Sequence, residues 1–456
     1  MSVKVRFAPS PTGWLHVGNV RAAIITWLFA RKNGGHFLFR VDDTDAERSK
    51  PEYEEEIETA LAWLHLNWDE KARQSDRWDR YNAVIEKLKQ AGRIYACYES
   101  AEELALKRKT LLNRGLPPIY DRAGLNLSDE QKAKYEAEGR QPHWRFKLNH
   151  APIEWNDHIR GPVKFEGEQM SDPVLIREDG RPLYHLCSVI DDLDFKITHV
   201  VRGEDHVSNT ASHVQMFEAI IEAEGNGTIP DFAHLPLISD KEGGKLSKRL
   251  GSLSVRDLRE NEKLEPMALV SLMSRLGTSD PIEAFCSIDP LIESFDFGKF
   301  SRGTPKFDTD ELLRLNAKIL HETPFEDVNV RLAGMGLQEL TEEFWLSVRA
   351  NIERLDDVKS WWEMAKGPVE PVIEAENTDF IMQAAAELPP APWNEHTWSE
   401  WVGRLKTATG RKGKGLFMPL RQALTGMNHG PEMDKLLLLI GPDKAKERLQ
   451  AYKKAA

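Results

Sequence analysis

The pattern of apolar and polar positions divides the 456-residue chain into two unlike parts. In the first, short apolar runs that read as buried strands alternate with helical stretches. A β-prone run at 3–7 enters a Pro/Gly-punctuated loop and then an apolar-periodic helix over 20–31. His36-Phe37-Leu38-Phe39-Arg40-Val41 reads as a second buried strand, followed by an amphipathic segment at 53–66 and a helical pattern at 77–91 closed by Gly92. From Tyr95 the pattern becomes mixed, with a charged helix at 100–114, a turn at 117–122 and strand-like pieces at 143–148 and 163–165. The alternation resumes with a buried strand at 197–202, an amphipathic helix at 207–224 and a strand at 234–238. Strands that alternate with helices in this way predict a parallel sheet covered by helices, and 95–180 reads as an insertion between its two halves. Beyond 251 the chain turns helical, at 265–276 and 310–320. After Thr323 no strand pattern rises above noise, and helices are expected at 342–355, 379–388, 398–409 and 433–440.

Composition adds limits rather than detail. Hydrophobic residues make up 41% and charged residues 29%, as in a globular protein with a substantial core. No apolar run reaches the roughly eighteen residues of a membrane span, and no apolar leader follows Met1. Cys97, Cys187 and Cys286 share no metal-ligand or redox spacing, so a cytoplasmic protein is expected. The net charge of −12 argues against a nucleic-acid partner, yet nucleic-acid contacts need only a local basic surface. Arg404, Lys406, Arg411, Lys412, Lys414 and Arg421 form such a surface, with no acidic residue among them. A patch this compact in an acidic chain favours RNA contact over a merely solvated loop.

The candidate chemistry is concentrated in a few loops. The first runs Arg6-Phe7-Ala8-Pro9-Ser10-Pro11-Thr12-Gly13-Trp14-Leu15-His16-Val17-Gly18-Asn19. It contains neither the GxGxxG nor the GxxxxGK[ST] phosphate motif. What it offers is a His at the mouth of a helix and, two residues on, a Gly that lets a flat group approach the backbone. Asp42-Asp43-Thr44-Asp45 ends the strand at 36–41, at the edge where doubly wound sheets bind ligands. The plainer reading makes these acids a helix cap for 53–66, and both readings can hold. Arg202-Gly203-Glu204-Asp205-His206 ends another strand and stands as the cap of the helix at 207–224. Gly243-Gly244 before Lys245-Leu246-Ser247-Lys248-Arg249 suits a mobile loop that closes over an anion, although most such runs are solvated basic loops.

His16-Val17-Gly18-Asn19 resembles the "HIGH" signature of class I aminoacyl-tRNA synthetases, and Lys245-Leu246-Ser247-Lys248-Arg249 resembles their "KMSKS" loop. The wider run from Arg6 to Gly13 looks like the glutamyl-tRNA synthetase subgroup. The helical tail with its basic turn Gly410-Arg411-Lys412-Gly413-Lys414-Gly415 resembles the anticodon-binding half of the bacterial members. The resemblance spans nearly the whole chain and is strongest at 6–48, 181–210 and 241–251.

For the fold, the resemblance implies an α/β protein with a Rossmann-like parallel nucleotide-binding core in two halves, 1–94 and 181–240. An inserted α+β domain at 95–180 would bind the acceptor end of tRNA. A stem-contact region at 241–322 would carry the Lys245–Arg249 loop, and 323–456 would be an all-helical anticodon-binding domain. The implied activity is ligation of L-glutamate to the 3′ end of tRNA with ATP and Mg²⁺. Whether tRNA-Glu, tRNA-Gln or both are charged stays open. His16, Gly18, Asn19, Lys245, Ser247, Lys248 and Arg249 would serve ATP and catalysis. Arg6, Ala8, Ser10, Asp42, Tyr184, Ser188 and Arg202 would line the glutamate pocket, and Arg411, Lys412 and Lys414 would touch tRNA. A substrate with two carboxylates needs two cationic partners, preferably planar and bidentate, so Arg6 is assigned to the side-chain carboxylate and Arg202 to the α-carboxylate.

Two positions depart from the family pattern. Asp42 replaces a Glu that faces the substrate amino group, and Ser188 stands where many relatives have Asn. Some relatives also bind zinc in the insertion through cysteines and a histidine. Here Cys97 alone stands ready, with Glu99 and Ala123-Gly124 in place of further thiols, so no structural zinc is expected. A monomer without membrane association completes the expectation. The alternatives are a non-catalytic or regulatory tRNA-binding paralogue and a glutamyl transferase acting on a modified tRNA base. The first predicts damaged ATP motifs, which are intact, and the second predicts no helical tail. A glutaminyl relative would need a β-rich tail.

Overall fold

The computed structural model describes residues 2–242 and 253–451. The chain forms two compact units. One comprises Met1–Asn261, Leu269–Glu283 and Ser287–Thr309, and the other Glu262–Ala268, Ala284–Cys286 and Asp310–Ala456.

The first unit is organised by strands β1 (Lys4–Phe7), β2 (His36–Val41), β3 (Glu70–Arg73), β4 (Ile94–Cys97), β5 (His143–Phe146), β6 (Ile153–Asp157), β7 (Gly161–Phe165), β8 (Val174–Ile176), β9 (His199–Gly203) and β10 (Asp231–Leu235). Seven of them form one sheet in the order β3-β2-β1-β9-β10-β6-β7. All its pairings are parallel except the β6–β7 hairpin. Strands β4, β5 and β8 make a smaller antiparallel sheet. Val5, Phe37, Leu38 and Phe39 are fully buried, as expected of a parallel sheet covered on both faces. Helix α1 (Val17–Lys32) is buried through its middle from Val20 to Ala30, apart from Ala22, because it packs as a core helix rather than a surface one. The chain leaves β1 for β2 on one side and reaches β9 on the other. That is the reversal of strand order at which such sheets open a crevice.

Helix α2 spans Pro51–Trp63, α3 Trp78–Gln90, α4 Ala101–Asn113, α5 Asp129–Ala137, α6 Tyr184–Asp194 and α7 Val207–Glu224. Ser100 closes a capping box with Glu103 at the start of α4. Expectation and structure differ in three places. The acids Asp42–Asp45 cap no helix, because α2 begins after Lys50 without a side-chain cap. Asp43 instead accepts from the Ser75 N–H (2.9 Å) and hydroxyl (2.7 Å), tying the end of β2 to the chain after β3. His206 likewise precedes α7 without a side-chain cap bond. Strands β3 and β6 were not expected. β3 is polar (Glu-Lys-Ala-Arg) at a sheet edge, and β6 places the β6–β7 hairpin in the large sheet beside β10.

The second unit is helical, and among the described residues no strand follows Phe307. Trp345 and Trp401 are fully buried in its core. Their indole N–H groups donate to the carbonyls of Thr323 (2.9 Å) and Ala384 (3.1 Å), which satisfies the one polar atom each ring carries. The helix Lys414–Thr425 contains Pro419, whose missing N–H frees the Gly415 carbonyl. The Arg411 guanidinium donates to that carbonyl (3.2 Å) and to Asn377 Oδ1 (2.7 Å), and lies 4.4 Å from the centre of the Phe380 ring. No helix among the described residues is long and apolar enough to cross a membrane.

Candidate functional site

A cavity of about 530 Å³ opens where β1 and β9 part. Each neighbouring element ends there. β1 delivers Arg6 and Phe7 and the following loop Ala8, Pro9 and Ser10; β2 delivers Arg40 and Asp42; β9 delivers Arg202. The first turns of α1 and α6 add Gly18, Asn19, Arg21, Tyr184 and Ser188. Thus Arg6, Ala8, Ser10, Gly18, Asn19, Asp42, Tyr184, Ser188 and Arg202 line one cavity.

His16 does not line it. This residue is the N-cap of α1, in extended conformation, and its Nδ1 accepts the Gly18 N–H at 3.3 Å. Burial holds its imidazole below the usual pKa, so the ring is neutral at physiological pH. A Cβ placed on Gly18 would meet only His16 Nδ1, at 3.8 Å. Packing therefore does not demand glycine at a position that faces the cavity. Lys245, Ser247, Lys248 and Arg249 lie outside the described residues. The chain that follows them returns to His16: Val17 N–H donates to Leu253 O (3.2 Å) and Val255 N–H to Leu15 O (2.9 Å).

The two expected guanidinium groups differ in their company. Arg6 Nε donates to Asp192 Oδ1 at 3.1 Å, both side chains being buried. Among the described residues Arg202 bonds only neutral acceptors, Thr210 Oγ1 at 2.6 Å and His234 Nε2 at 3.4 Å. Burial, reinforced by the charge of Arg6, lowers Arg202 to about 10. His234 is fixed in turn by Asp157 (Nδ1 to Oδ2, 2.5 Å). Burial opposes ionisation of Asp157, but hydrogen bonds from His234 and the backbone of Arg160 and Ile159 hold it near 2. The result is a buried relay, Asp157 to His234 to Arg202, reaching from β6 through β10 to β9.

Arg40 was not foreseen as a site residue, although a charged residue inside an apolar strand was a legible anomaly. Its guanidinium donates to Asp42 through Nε (2.6 Å) and Nη2 (3.0 Å), to Asp192 through Nη1 (2.8 Å) and to Ser188 Oγ (3.3 Å). Asp191 lies 3.7 Å from Nε and also accepts from Arg77 and Gln74. Burial pushes the Asp42 carboxyl up to about 6, with Arg40 opposing. Asp42 therefore presents a carboxylate that already has a partner, rather than a free one. Arg21 is a further unforeseen guanidinium, donating to the carbonyls of Pro236 (2.7 Å) and Leu276 (2.9 Å), with burial lowering it to about 10.

In the small sheet, Cys97 does not stand alone as expected. Glu99 and His143 converge on it, with donor atoms mutually within 4.8 Å. The Tyr120 hydroxyl already sits against Cys97 Sγ (3.4 Å) and Glu99 (3.0 Å), and Lys107 Nζ donates to Glu99 (3.2 Å). Burial pushes the Cys97 thiol up to about 11. Cys97 and Glu99 are both engaged by Tyr120, and Glu99 also by Lys107, so the cluster does not present the free donors that a structural zinc ion takes. The group does not fit.

In the second unit a cavity of about 470 Å³ is lined by Trp398, Phe417, Lys414, Arg421, Glu432 and Asp434, among others. Phe417 is exposed and its ring lies 6.3 Å from that of Trp398. Arg421 Nη1 is buried with no hydrogen-bond partner. Lys414 reaches this cavity and Lys412 is exposed, whereas Arg411 is engaged within the fold as described.

A doubly wound sheet with a cationic crevice at its switch point and a His-x-Gly-x helix start defines a nucleotide-binding enzyme core for an anionic substrate. The model of the family "tRNA synthetases class I (E and Q), catalytic domain" matches residues 2–314, and that of the "Anticodon binding domain" matches 353–453. The chain belongs to the class I tRNA synthetases of this E and Q family, whose members depend on ATP. It is 57% identical over 449 residues to a glutamate–tRNA ligase of Azospirillum brasilense, covering 98% of this chain and 99% of that one. It is 52% identical over 446 residues to glutamate–tRNA ligase 1 of Maricaulis maris, covering 98% of each. A crystal structure of a glutamate tRNA ligase from Elizabethkingia meningosepticum in complex with its amino acid superposes with a TM-score of 0.86 at 28% identity, covering 100% of this chain and 99% of that one.

Replacing Arg40 by Met should leave buried Asp42 without its cationic partner and remove a cation shared with Asp191 and Asp192, lowering the unfolding free energy by about 3–5 kcal/mol, read from urea denaturation. A loss under about 1 kcal/mol would mean that the carboxylates do not depend on Arg40.

Proposed function

We propose that the chain catalyses the glutamate–tRNA ligase reaction, activating L-glutamate with ATP and passing the glutamyl group to the 3′ end of tRNA. The observation that carries this reading is Arg202. It is a half-buried guanidinium at the switch point with no carboxylate partner among the described residues, beside a second guanidinium, Arg6, that Asp192 already holds. An uncompensated, largely desolvated cation facing a cavity calls for an anion. Likeness over nearly the full length to glutamate–tRNA ligases supports glutamate as that anion.

In the first step an oxygen of the substrate α-carboxylate attacks the α-phosphorus of ATP. The bond from that phosphorus to the bridging oxygen breaks and pyrophosphate leaves. No covalent nucleophile from the protein is required, so catalysis rests on positioning and fixed positive potential. Arg202 would hold the α-carboxylate and Arg6 the side-chain carboxylate. Tyr184 and Ser10 would add neutral hydrogen bonds, and Ser188 and Ala8 would complete the wall. Asp42 would face the ammonium while keeping its bond to Arg40. Gly18 and Asn19 would take the nucleotide against the first turn of α1, whose end His16 organises. By the family resemblance, Lys245 and Lys248, with Ser247 and Arg249, supply charge to the phosphates. Mg²⁺ bound to the triphosphate would share that charge. In the second step a terminal ribose hydroxyl attacks the glutamyl carbonyl and AMP leaves.

By the family resemblance, 95–180 would receive the acceptor end without structural zinc, 241–322 would contact the stem, and 323–456 would read the anticodon. In that last part an unpaired base would stack on Phe417 and Trp398 beside Arg421 and Lys414. Lys412 would contact the backbone, whereas Arg411 acts by supporting the Pro419 helix. The enzyme is taken to act as a cytoplasmic monomer. Nothing favours the paralogue or transferase alternatives.

ATP–pyrophosphate exchange in the presence of tRNA tests the reading. Glutamate should support exchange, and exchange supported by glutamine alone would overturn the pocket assignment. Lys248→Ala should reduce exchange by about 10²–10³-fold with tRNA affinity unchanged, and unaltered exchange would remove that loop from the mechanism. Because Asp42 takes up a proton near pH 6, its hold on the substrate ammonium is present above that pH and lost below it. The KM for glutamate should therefore rise by up to about tenfold per unit as pH falls below 6, and Asp42→Asn should abolish that slope. Phe417→Ala should weaken tRNA binding by about 1–3 kcal/mol in a filter assay, while an unchanged affinity would exclude stacking at that ring.

A further inference from the structure

We infer that His158, His199 and Asp231 form a metal site, for a divalent transition ion of the zinc class, at the end of β9 and β10 opposite the cavity. His199 and Asp231 are the first residues of β9 and β10 and are directly paired in register. His158 follows β6, and its N–H donates to the Phe232 carbonyl at 2.9 Å. Asp231 N–H donates to Thr198 O at 2.9 Å. Three neighbouring strands thus bring two imidazoles and one carboxylate to one sheet edge, with donor atoms mutually within 4.8 Å.

Hydrogen bonding identifies which nitrogen of His199 is free. The Thr198 hydroxyl donates to Lys4 O (3.0 Å) and accepts Lys4 N–H (2.9 Å). The same hydroxyl lies 2.8 Å from His199 Nδ1 and so occupies that nitrogen. Nε2 is the atom left free and directed at Asp231. A hydrogen bond at the other ring nitrogen orients an imidazole for metal binding. The rings are further held by aromatic neighbours, Phe29 edge-on to His199 (4.7 Å) and Phe297 stacked on His158 (5.5 Å).

Asp231 Oδ2 lies 3.6 Å from His199 Nε2 and 3.8 Å from His158 Nε2, so one carboxylate oxygen faces both imidazoles without a tight hydrogen bond to either. Bonds of about 2.0–2.2 Å to one central ion put tetrahedral donors about 3.3–3.6 Å apart, so small shifts of these side chains suffice. Two imidazoles with one carboxylate favour Zn²⁺, Co²⁺ or Ni²⁺ over Mg²⁺ or Ca²⁺. The solvent-facing side leaves room for water as the remaining ligand. An ion there would clamp β6, β9 and β10 without touching the reacting groups.

The test uses the full chain carrying Cys97→Ser, so that the cluster in the small sheet contributes no thiol. Chelator-stripped protein is titrated with Co²⁺ by calorimetry and visible absorption. About one equivalent should bind, and His199→Ala and Asp231→Asn should each weaken it by at least about tenfold. Asp231 is exposed, so that second variant is expected to keep the fold, checked by circular dichroism. Absence of binding, or binding equally strong in Asp231→Asn and His199→Ala, would overturn the site and leave the three residues as an ordinary ion pair. Binding seen in the parent chain but abolished by Cys97→Ser would overturn it too, by assigning the ion to the Cys97 cluster.

Discussion

The Arg40 guanidinium, almost fully buried, is the interaction on which the rest of the pocket depends. Three carboxylates, Asp42, Asp191 and Asp192, approach it from β2 and α6, and Arg6 and Arg77 join it as further partners of Asp192 and Asp191. Its contacts carry structural consequence beyond their own energy. Asp192 accepts from Arg40 and Arg6 through the same oxygen, so the position of Arg6 at the end of β1 is referred to β2 and α6 at once. A cluster with such internal compensation is rigid, because moving any member exposes a charge to an apolar surround.

Arg202 is held by different means, and the difference has a functional sense. Neutral Thr210 and His234 orient the guanidinium without neutralising it, while the negative charge of Asp157 is set one residue back. The cation stays available to a ligand and pays its desolvation in advance. This is how a binding site is preorganised for an anion. Arg6 shares Asp192 with Arg40, so less of its charge is left for a ligand.

The strands and helices that were legible in the sequence are those whose burial is uniform or whose period is unbroken. β2 is buried from Phe37 to Val41 and apolar there but for Arg40, and α7 occupies the same residues, Val207–Glu224, that its amphipathic period indicates. β3 escaped because an edge strand can be polar on both faces, and the helix Lys414–Thr425 escaped because Pro419 reads as a breaker. Its helix survives since Arg411 serves the freed carbonyl, a long side chain substituting for a backbone donor. The site divides in the same way. Loop residues of a contiguous motif, such as Arg6 to Asn19, can be recognised along the chain. Partnerships such as Asp157 with His234, or Arg40 with Ser188, join residues 77 and 148 positions apart and exist only once the sheet order is known.

The two departures from the family pattern, Asp42 and Ser188, are in contact with each other. Ser188 Oγ donates to Asp42 Oδ2 at 3.4 Å and accepts from Arg40 Nη2 at 3.3 Å. Each is smaller than the residue it replaces, and both touch the same guanidinium. The shorter carboxylate is drawn into a two-point bond with Arg40, two residues away on the same strand. The hydroxyl then fills the remaining acceptor direction of Arg40 from α6. Asp42 and Ser188 thus act on Arg40 as a pair from β2 and α6 while both still line the cavity, so the shape of the pocket at this wall is set by the three residues together.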